Sequence, residues 1–270
     1  MRLVDSHAHL QAEAFAEDHD TPLAAARAAG VERILVPGWD VTSSGSAIAL
    51  AHAIDVDASA GIHPHVAAGA DDEAWAAIVE LADDRAAVAV GETGLDYDRA
   101  LSPRVAQLVN LRRHLRLARA LERPVILHCR SRRGERDAHD ELIRELTEAG
   151  AGTPLWPTAG GRPPALLHSF SGPLDYAEQA LSLGLAVSFS GLVFRAGEEV
   201  SAAVARLVPA DRLLVETDSP YLSPPGAPRR RNEPQWVQVT ARWLAEQRGD
   251  DPDALGQQLV ANYDRIFARR

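Results

Sequence analysis

The feature of this sequence that most limits its fold is a repeated alternation of short apolar runs with longer segments of helical pattern. Most of these runs are continuously apolar, as expected for parallel strands that are covered on both faces. Strands that alternate with helices indicate βαβ units and a parallel sheet. Eight runs have this form, at 3–4, 33–37, 57–62, 86–90, 124–127, 165–167, 185–189 and 213–215.

The segments between the runs carry signals of helix boundaries. Thr21-Pro22 opens one helical segment and Gly30 closes it, which matches proline in the first turn and glycine just past the end. No Gly-rich dinucleotide-binding turn follows any of the strands. Eight βα units without such a turn favour a closed barrel over a doubly wound sheet. We therefore predict an α/β fold, a single TIM-like (β/α)8 barrel that forms one domain over residues 1–270.

Residues 131–164 form the most irregular region of the sequence. The segment opens on an arginine-rich stretch and closes on a Gly- and Pro-rich stretch at 160–164, with one helical pattern from about 137 to 149 between them. We interpret it as an elaborated βα loop with a helix and not as a domain boundary. Its extra residues lie near the predicted rim of the barrel, where they are expected to influence which substrate fits.

The overall charge limits the partners that this chain can have. Its net charge of −10 argues against wrapping a nucleic acid on a broad basic surface. A nucleic-acid chain end could still enter a pocket, because bound metal ions change the local field there. All 28 basic residues are arginine, so the chain has no lysine.

The location of the protein is predicted from its cysteine content and its apolar runs. Cys129 is the single cysteine, so no internal disulfide can form. No apolar run approaches the roughly 20 residues that a membrane span needs, and no leader pattern is visible at the start. We expect a cytoplasmic protein with no membrane partner. We also expect a monomer, because the sequence has no obvious exposed apolar stripe.

Side chains able to bind metal follow six of the eight predicted strands. In a parallel barrel the carboxyl ends of the strands converge on one rim, which is where barrel enzymes place their active sites. Six separate segments therefore bring histidine or carboxylate side chains to one mouth of the barrel. The segments are His7-Ala8-His9, His63-Pro64-His65, Glu92 to Asp96, His128, His168 and Glu216-Thr217-Asp218.

The types of these side chains favour a metal site. His7 and His9 are two residues apart, so in an extended chain both imidazoles face the same side and can bind one ion. Imidazole and carboxylate ligands suit Zn, Mn, Fe or Co, and carboxylate-rich sites also accept Mg. Four histidines and two carboxylates exceed what one tetrahedral ion needs. The sequence therefore predicts two divalent ions with one bridging carboxylate, and their identity as Mg, Mn or Zn stays open.

These segments together resemble the TatD family of metal-dependent deoxyribonucleases, within the amidohydrolase-like barrels. The resemblance runs nearly from end to end, with its motifs in order. It implies hydrolysis of phosphodiester bonds at DNA ends by metal-activated water, in the manner of a 3'-5' exodeoxyribonuclease. The motifs are 4–9, 61–65, 91–97, 124–128, 168–172, 216–222 and 231–234.

The resemblance also implies a role for each site residue. One ion is expected on His7, His9, Glu92 and Asp218, and a second on Glu92, His128 and His168. Glu92 then bridges the two ions, which agrees with the lack of the lysine that bridges the metals in related barrels. Asp218 and Glu92 are the predicted catalytic residues, with Asp218 also accepting a proton. The predicted substrate contacts are His63, His65, Asp96, Arg130 and Arg231.

Two other functions remain open from the sequence. The first is a metallohydrolase of a small-molecule amide, lactone or ester on the same barrel. Such an enzyme does not need groups that hold a phosphate, so His63, His65 and Arg231 favour the phosphodiester. The second is a metal-stabilised scaffold or partner-binding protein without catalytic activity. Replacing Glu92 with glutamine separates these, since an enzyme loses turnover and a scaffold keeps its partner.

Overall fold

The structure is a computed structural model, and it describes residues 1–16, 18–156 and 161–268. In these residues eight strands alternate with helices, as the sequence predicts. The strands are β1 (Leu3–Asp5), β2 (Val31–Pro37), β3 (Asp57–Ala60), β4 (Ala87–Asp96), β5 (Val125–Arg130), β6 (Ala165–Leu167), β7 (Ala186–Phe189) and β8 (Leu213–Val215). The helices are α1 (Asp20–Ala28), α2 (Val41–Ala53), α3 (Asp72–Asp83), α4 (Arg104–Leu121), α5 (Asp137–Glu148), α6 (Leu174–Ser182), α7 (Ser201–Leu207), α8 (Val237–Arg248) and α9 (Pro252–Ile266).

The strands form one parallel sheet in the order β1 to β8. The sheet closes on itself where β1 meets β8, since the Ser6 amide donates to the Val215 carbonyl at 3.1 Å. Asp5 adds a second link, because its carboxylate accepts hydrogen bonds from the amide and the hydroxyl of Thr217 at 2.9 and 2.6 Å. The predicted (β/α)8 barrel is confirmed, and all eight strands end at the same mouth.

The core lies on both faces of the strands, inside the barrel and under the surrounding helices. Leu213, Leu214 and Val215 of β8 are all fully buried, although successive side chains of a strand point to opposite faces. This burial on both sides explains why the strands appear in the sequence as continuous apolar runs. Burial of each such side chain contributes roughly 1.5–3 kcal/mol, so the barrel gives a rigid frame for the residues at its mouth.

β4 is longer than the sequence predicts. The expected end at residue 90 was too early, because β4 continues to Asp96 and stays paired with β5 beyond a register shift after Val90. Two glycines allow this path, since Gly91 and Gly94 have φ angles of 122° and 143°. A Cβ at Gly94 would overlap the carbonyl of His128 on β5. Glu92 and Asp96 therefore lie within a strand and not in a loop beyond it.

The irregular segment between β5 and β6 contains the helix that the sequence predicts. The prediction of 137–149 is confirmed by α5, which spans Asp137–Glu148. Trp156 follows this helix and is buried in the hydrophobic core. Residues 157–160 lie outside the described residues, and they include the first residue of the Gly- and Pro-rich stretch at 160–164.

The helices and the exposed apolar residues relate to two predictions, the absence of a membrane span and the monomeric state. Within the described residues, none of the helices combines the length and the hydropathy that a membrane crossing requires. Val105 and Val109 are exposed on one face of α4, and Leu101, just before the helix, is exposed as well. The expectation of a monomer assumed that no such stripe exists, so it stays a prediction without that support.

Candidate metal centre

The first side chains of the centre come from the chain that leaves β1. Ala8 is buried in a parallel bridge with Ser219, which fixes the extended path of this segment. His7 and His9 therefore point to the same side, and their Nε2 atoms lie 3.2 Å apart. We call these two residues the β1 pair.

Glu92 lies at the middle of the centre and is surrounded by imidazoles. It is only 3% exposed. Its Oε1 atom lies 2.8 Å from His168 Nε2, 3.3 Å from His128 Nδ1 and 3.3 Å from His63 Nε2. Its Oε2 atom lies 3.3 Å from Nε2 of His7. The two oxygens of one carboxylate thus face two different groups of histidines.

Asp218 lies beside the β1 pair on the loop after β8. Its Oδ1 atom lies 3.3 Å from His9 Nε2 and 3.8 Å from His7 Nε2. Backbone hydrogen bonds hold this loop against β1, because the Asp218 amide donates to the His7 carbonyl at 2.8 Å and the His9 amide donates to the Ser219 carbonyl at 2.7 Å. The first group of candidate ligands therefore depends on the contact that closes the barrel.

Each of the other two central histidines rests against a second buried carboxylate. His168 Nδ1 lies 3.2 Å from Oε1 of Glu216, which is fully buried. His128 Nε2 lies 3.2 Å from Oδ2 of Asp96, which is 1% exposed. These contacts turn the remaining nitrogen of each ring toward Glu92. We call His128 and His168 the β5–β6 pair.

The charges of the centre favour a cation. Burial alone would raise the pKa of Glu92, but the imidazoles of His168, His63 and His7 outweigh burial and hold its pKa well below the ordinary value. Burial alone would lower the pKa of His168, but Glu92 and Glu216 outweigh it and raise that pKa well above 6.5. Glu92 is therefore ionised, and the carboxylates around His168 stabilise positive charge between them.

The residues present fit divalent metal ions. When His168 Nδ1 donates its proton to Glu216, Nε2 and Oε1 of Glu92 become two acceptors that face each other at 2.8 Å. His168 Nε2 is buried, and the group that faces it is Glu92. Two acceptors at this distance need a cation between them, which is the proton of the cationic His168 in the metal-free protein and a divalent ion once one binds. Three groups of candidate ligand atoms each lie within 4.8 Å, namely His7 with His9 and Asp218, His7 with Glu92 and His168, and His63 with His65 and His128.

The centre opens into a cleft of about 520 Å³ at the mouth of the barrel. Two aromatic side chains, Trp39 and Tyr221, line this cleft beside His9. Two arginines, Arg99 and Arg130, line it near the ends of β4 and β5. The arrangement combines a polar metal-binding floor with walls that offer both aromatic and cationic groups.

Comparison with known proteins identifies the family to which this centre belongs. The model of the family described as TatD related DNase matches residues 4–268. The chain belongs to the TatD-related DNase family. The resemblance stated from the sequence motifs is thereby confirmed, together with the prediction of a hydrolase.

Three similar proteins illustrate this TatD family. A protein of Erwinia billingiae (strain Eb661) named 3'-5' ssDNA/RNA exonuclease TatD is 37% identical over 273 residues, which cover 98% of each chain. A Bacillus subtilis (strain 168) protein named uncharacterized metal-dependent hydrolase YabD is 33% identical over 266 residues, again with 98% of each chain covered. The crystal structure of YJJV, a TatD homolog from Escherichia coli k12, has a TM-score of 0.84 at 29% identity and covers 98% of each chain.

The fold of this chain brings nearly all of the predicted site residues to one place. The other five predicted metal ligands lie around Glu92, and His63 also touches Glu92. Asp96, expected among the substrate contacts, lines the cleft, and its Oδ2 atom lies 2.7 Å from His65 Nε2 and 3.2 Å from His128 Nε2. Arg130 lines the cleft and holds Asp98 through Nε at 2.8 Å.

Arg231 is the predicted site residue that the fold does not bring to the cleft. It is not among the described residues that line the cleft. Its guanidinium lies over the ring of Phe15 at 4.9 Å and near Asp18 and Glu233, at 3.8 and 3.4 Å. Sequence reasoning assigned it to the phosphate because it follows the rim of β8, but a loop position after a strand does not fix where a long side chain points.

Several residues of the metal centre and its cleft were not predicted from the sequence. Glu216 lies in the same short motif as Asp218, yet only Asp218 was given a role. Trp39 and Tyr221 follow β2 and β8, and Arg99 follows β4. A search for aromatic and basic residues within a few positions of each strand end would have found all three.

Proposed function

We propose that this chain is a divalent-metal-dependent 3'-5' exonuclease that hydrolyses phosphodiester bonds at the ends of single-stranded DNA or RNA. The relatives named as TatD exonucleases support this substrate. We further propose that residues 1–270 act as one domain and that the protein is a cytoplasmic monomer. Its single cysteine, Cys129, agrees with a reducing compartment.

The arrangement around Glu92 is the observation that carries the proposal. Its Oε2 atom faces the β1 pair and its Oε1 atom faces the β5–β6 pair, as required of a carboxylate that bridges two ions. His7, His9, Glu92 and Asp218 would hold one ion, and Glu92 with the β5–β6 pair would hold the second. Bound divalent ions lower the pKa of water and stabilise the charge that develops on phosphate oxygens.

Asp218 is positioned to accept the proton of the attacking water. Burial raises its pKa, but the nearby His9 and His7 outweigh burial and hold the pKa below the ordinary value. The carboxylate is therefore ionised and can act as a base. Its side chain is 15% exposed, whereas that of Glu92 is 4% exposed, so Asp218 is the more accessible of the two from the cleft.

His63 is suited to hold a phosphate oxygen. Burial lowers its pKa to about 4, so the ring is neutral near pH 7. Its Nδ1 atom accepts a hydrogen bond from the His65 amide at 3.1 Å, which leaves the proton on Nε2 at the edge of the cleft. That proton faces Oε1 of Glu92 at 3.3 Å, and it would become available to a phosphate once Glu92 holds metal ions. Arg130 supplies a positive charge at the same rim.

Hydrolysis of a small-molecule amide, lactone or ester is the competing function. It would use the same ions and the same Asp218, but it gives no purpose to the cationic wall of the cleft. A scaffold without catalytic activity would not explain the open cleft above the metal centre. The experiment below tests both alternatives beside the nuclease.

The test uses metal-stripped protein with Mg, Mn or Zn added back in turn. Substrates are single- and double-stranded DNA and single-stranded RNA, labelled at the 5' end, and a panel of small lactones, esters and amides. Glu92→Gln removes the bridging charge, and Glu80→Gln on the exposed face of α3 is the matched control. We expect stepwise shortening from the 3' end that requires metal, persists in the control and is lost in Glu92→Gln.

Two results would contradict the proposal. Shortening that continues in Glu92→Gln would show that the nuclease activity does not come from this centre. Turnover of a lactone, ester or amide, with intact nucleic acid under every metal, would establish the competing function.

A further inference from the structure

We propose that the cleft is divided into two unlike halves, with a stacking site for the base of the 3'-terminal nucleotide on one side and a path for the upstream phosphates on the other. Trp39 and Tyr221 form the stacking site, and Arg99 and Arg130 form the start of the phosphate path. The inference rests on the proposed exonuclease function and adds to it how the substrate lies in the cleft.

The two aromatic residues share one side of the barrel mouth. Trp39 follows β2 and Tyr221 follows β8, and both strands are neighbours of β1 in the closed sheet. Both rings approach His9 edge to face, with centroid distances of 5.1 Å for Trp39 and 5.9 Å for Tyr221. Tyr221 is 58% exposed and lines the cleft, so part of its ring surface is open to a ligand. Such rings beside a metal centre offer a surface on which a base can stack.

The backbone near each ring is tied to the metal centre. The Trp39 carbonyl accepts a hydrogen bond from the His63 amide at 2.8 Å. The Tyr221 amide donates to the Asp218 carbonyl at 2.8 Å, and the Tyr221 carbonyl accepts from Asn232 Nδ2 at 2.7 Å. Since Asn232 is fully buried, this loop is held from within the protein. A stacking site with a fixed backbone loses little conformational freedom when a base binds.

The arginines lie on the opposite side of the mouth. Arg99 follows the end of β4, and Arg130 ends β5. β4 and β5 are adjacent in the sheet and lie across the barrel from β8, β1 and β2. Among the described residues that line the cleft, these two are the arginines. The metal centre therefore separates an aromatic side from a cationic side.

The chemistry of a nucleic-acid strand decides which part of it belongs on each side. The 3'-terminal nucleoside carries no phosphate beyond the one that is cleaved, so it needs a surface for its base and no additional cation. Every upstream nucleotide carries a phosphate, so the upstream strand gains most from arginines. Stacking tolerates all bases, because each has a π-face, which suits an enzyme that shortens a strand step by step. A paired terminal base must first unpair, so single-stranded ends are preferred.

The experiment compares three single-stranded DNA substrates of the same length. One is unmodified, one lacks the base of its 3'-terminal nucleotide, and one lacks a base several nucleotides upstream as the matched control. For the wild-type protein with its metals we expect roughly a five- to hundredfold loss of kcat/KM when the terminal base is removed. Removal of the upstream base should cost much less.

Variants then assign the effect to the two rings. Tyr221→Ala and Trp39→Ala should each lower kcat/KM for the unmodified strand and should lose little more when the terminal base is missing. Tyr221→Phe and Trp39→Phe keep an aromatic ring and should restore the dependence on the terminal base. Because Tyr221 is exposed, its alanine variant is expected to fold even if Trp39→Ala does not. Arg130→Ala should weaken the salt dependence of binding and leave the penalty for the missing terminal base unchanged.

Binding is measured separately from cleavage, by fluorescence anisotropy of the same labelled strands on the Glu92→Gln protein. Tighter binding of the unmodified strand than of the strand without its terminal base supports the stacking site. If the wild-type protein with its metals nevertheless cleaved none of the strands, only the exonuclease function would be overturned. Cleavage and binding that ignore the terminal base would overturn the stacking site and leave the exonuclease function standing. An equal loss in the alanine variants for all three substrates would also overturn it.

Discussion

The two pairs of histidines at the centre are held in different ways. Each ring of the β5–β6 pair has its outer nitrogen against a buried carboxylate, Glu216 for His168 and Asp96 for His128. In the β1 pair the Nδ1 atoms are buried and have no hydrogen-bond partner among the described residues. The rings of the β5–β6 pair are thus oriented by buried carboxylates, and those of the β1 pair by the path of the backbone.

This difference assigns distinct tasks to the two halves. A carboxylate behind a histidine fixes its tautomer and makes its free nitrogen a stronger ligand. The β5–β6 pair is therefore prepared for an ion before one binds. The β1 pair depends on the bridge between Ala8 and Ser219, and on Asp218 at the more exposed edge of the cleft. We expect the first half to hold its ion more tightly and the second half to exchange its ion more readily.

The largest predicted effect comes from removing one histidine of each pair. His168→Ala leaves the carboxylates of Glu92 and Glu216 buried together without the ring between them. Loss of one partner from a buried charge pair costs about 3–5 kcal/mol, so the metal-free variant should be destabilised by this order. His9→Ala leaves Asp218, which is partly exposed and can be hydrated, so its cost should be smaller. Urea unfolding of the metal-free proteins measures both values.

The same two variants are also compared by their metal content, which is measured after dialysis. His168→Ala should retain less metal than His9→Ala. Equal destabilisation, together with equal metal loss, would show that the carboxylates behind the β5–β6 pair do not distinguish the two halves.

A histidine outside the centre provides the next contrast, because it is held by backbone alone. His114 on α4 is fully buried, its Nδ1 atom lies 2.8 Å from the Asn110 carbonyl, and its Nε2 atom accepts from the Ile62 amide at 3.0 Å. Burial lowers its pKa to about 4. With no carboxylate to stabilise a positive charge, this ring stays neutral where His168 becomes cationic.

The lowered pKa of His114 predicts a dependence of stability on pH. Below pH 6.5 the unfolded chain gains a proton at this residue, and the folded protein does not until about pH 4. The stabilising contribution is therefore complete above pH 6.5 and falls by up to about 3 kcal/mol as the pH drops to about 4. His114→Gln can keep both hydrogen bonds without titrating. The free energy of unfolding of the variant should fall less than that of the wild type between about pH 7 and pH 5, and parallel curves would contradict this.

The sequence predicts the positions of the ligands because strand ends are visible as the end of apolar runs. His7, His128, His168 and Asp218 each lie at or just after such an end. A parallel barrel brings all strand ends to one mouth, so their convergence follows from the order of elements. No side-chain detail is needed for this step.

The support behind the ligands could not be predicted in the same way. The contact of Glu216 with His168 joins residues that are 48 positions apart, and it depends on the rotamers of both. The extension of β4 past Gly91 and Gly94 depends on tight contact with β5, which a pattern of apolar residues does not reveal. Sequence patterns give the side of a strand and not the direction of a long side chain, as Arg231 demonstrates.

A milder change tests the charge behind the β5–β6 pair without removing a ligand. Glu216→Ala should weaken metal binding about 10- to 100-fold, since groups behind metal-binding histidines have effects of this size. Glu216→Gln keeps an acceptor for His168 Nδ1 and should lose less. Glu246→Gln, on the exposed face of α8, is the matched control. Competition with a chelator gives the affinity, and an unchanged affinity in Glu216→Ala would remove the proposed difference between the two halves.

The smallest predicted effect lies one step further from the metal centre. The Ser6 hydroxyl lies 2.9 Å from Ser188 Oγ, 3.1 Å from the Val215 carbonyl and 3.3 Å from Glu216 Oε2. Ser6→Ala removes these contacts and should cost about 1 kcal/mol of stability, the usual value of one hydrogen bond. The effect on metal affinity should be only a few-fold, because Glu216 keeps its contact with His168. If Ser6→Ala weakened metal binding as much as Glu216→Ala, the orientation of His168 would depend on the whole hydrogen-bonded chain across β1, β7 and β8, and not on the carboxylate alone.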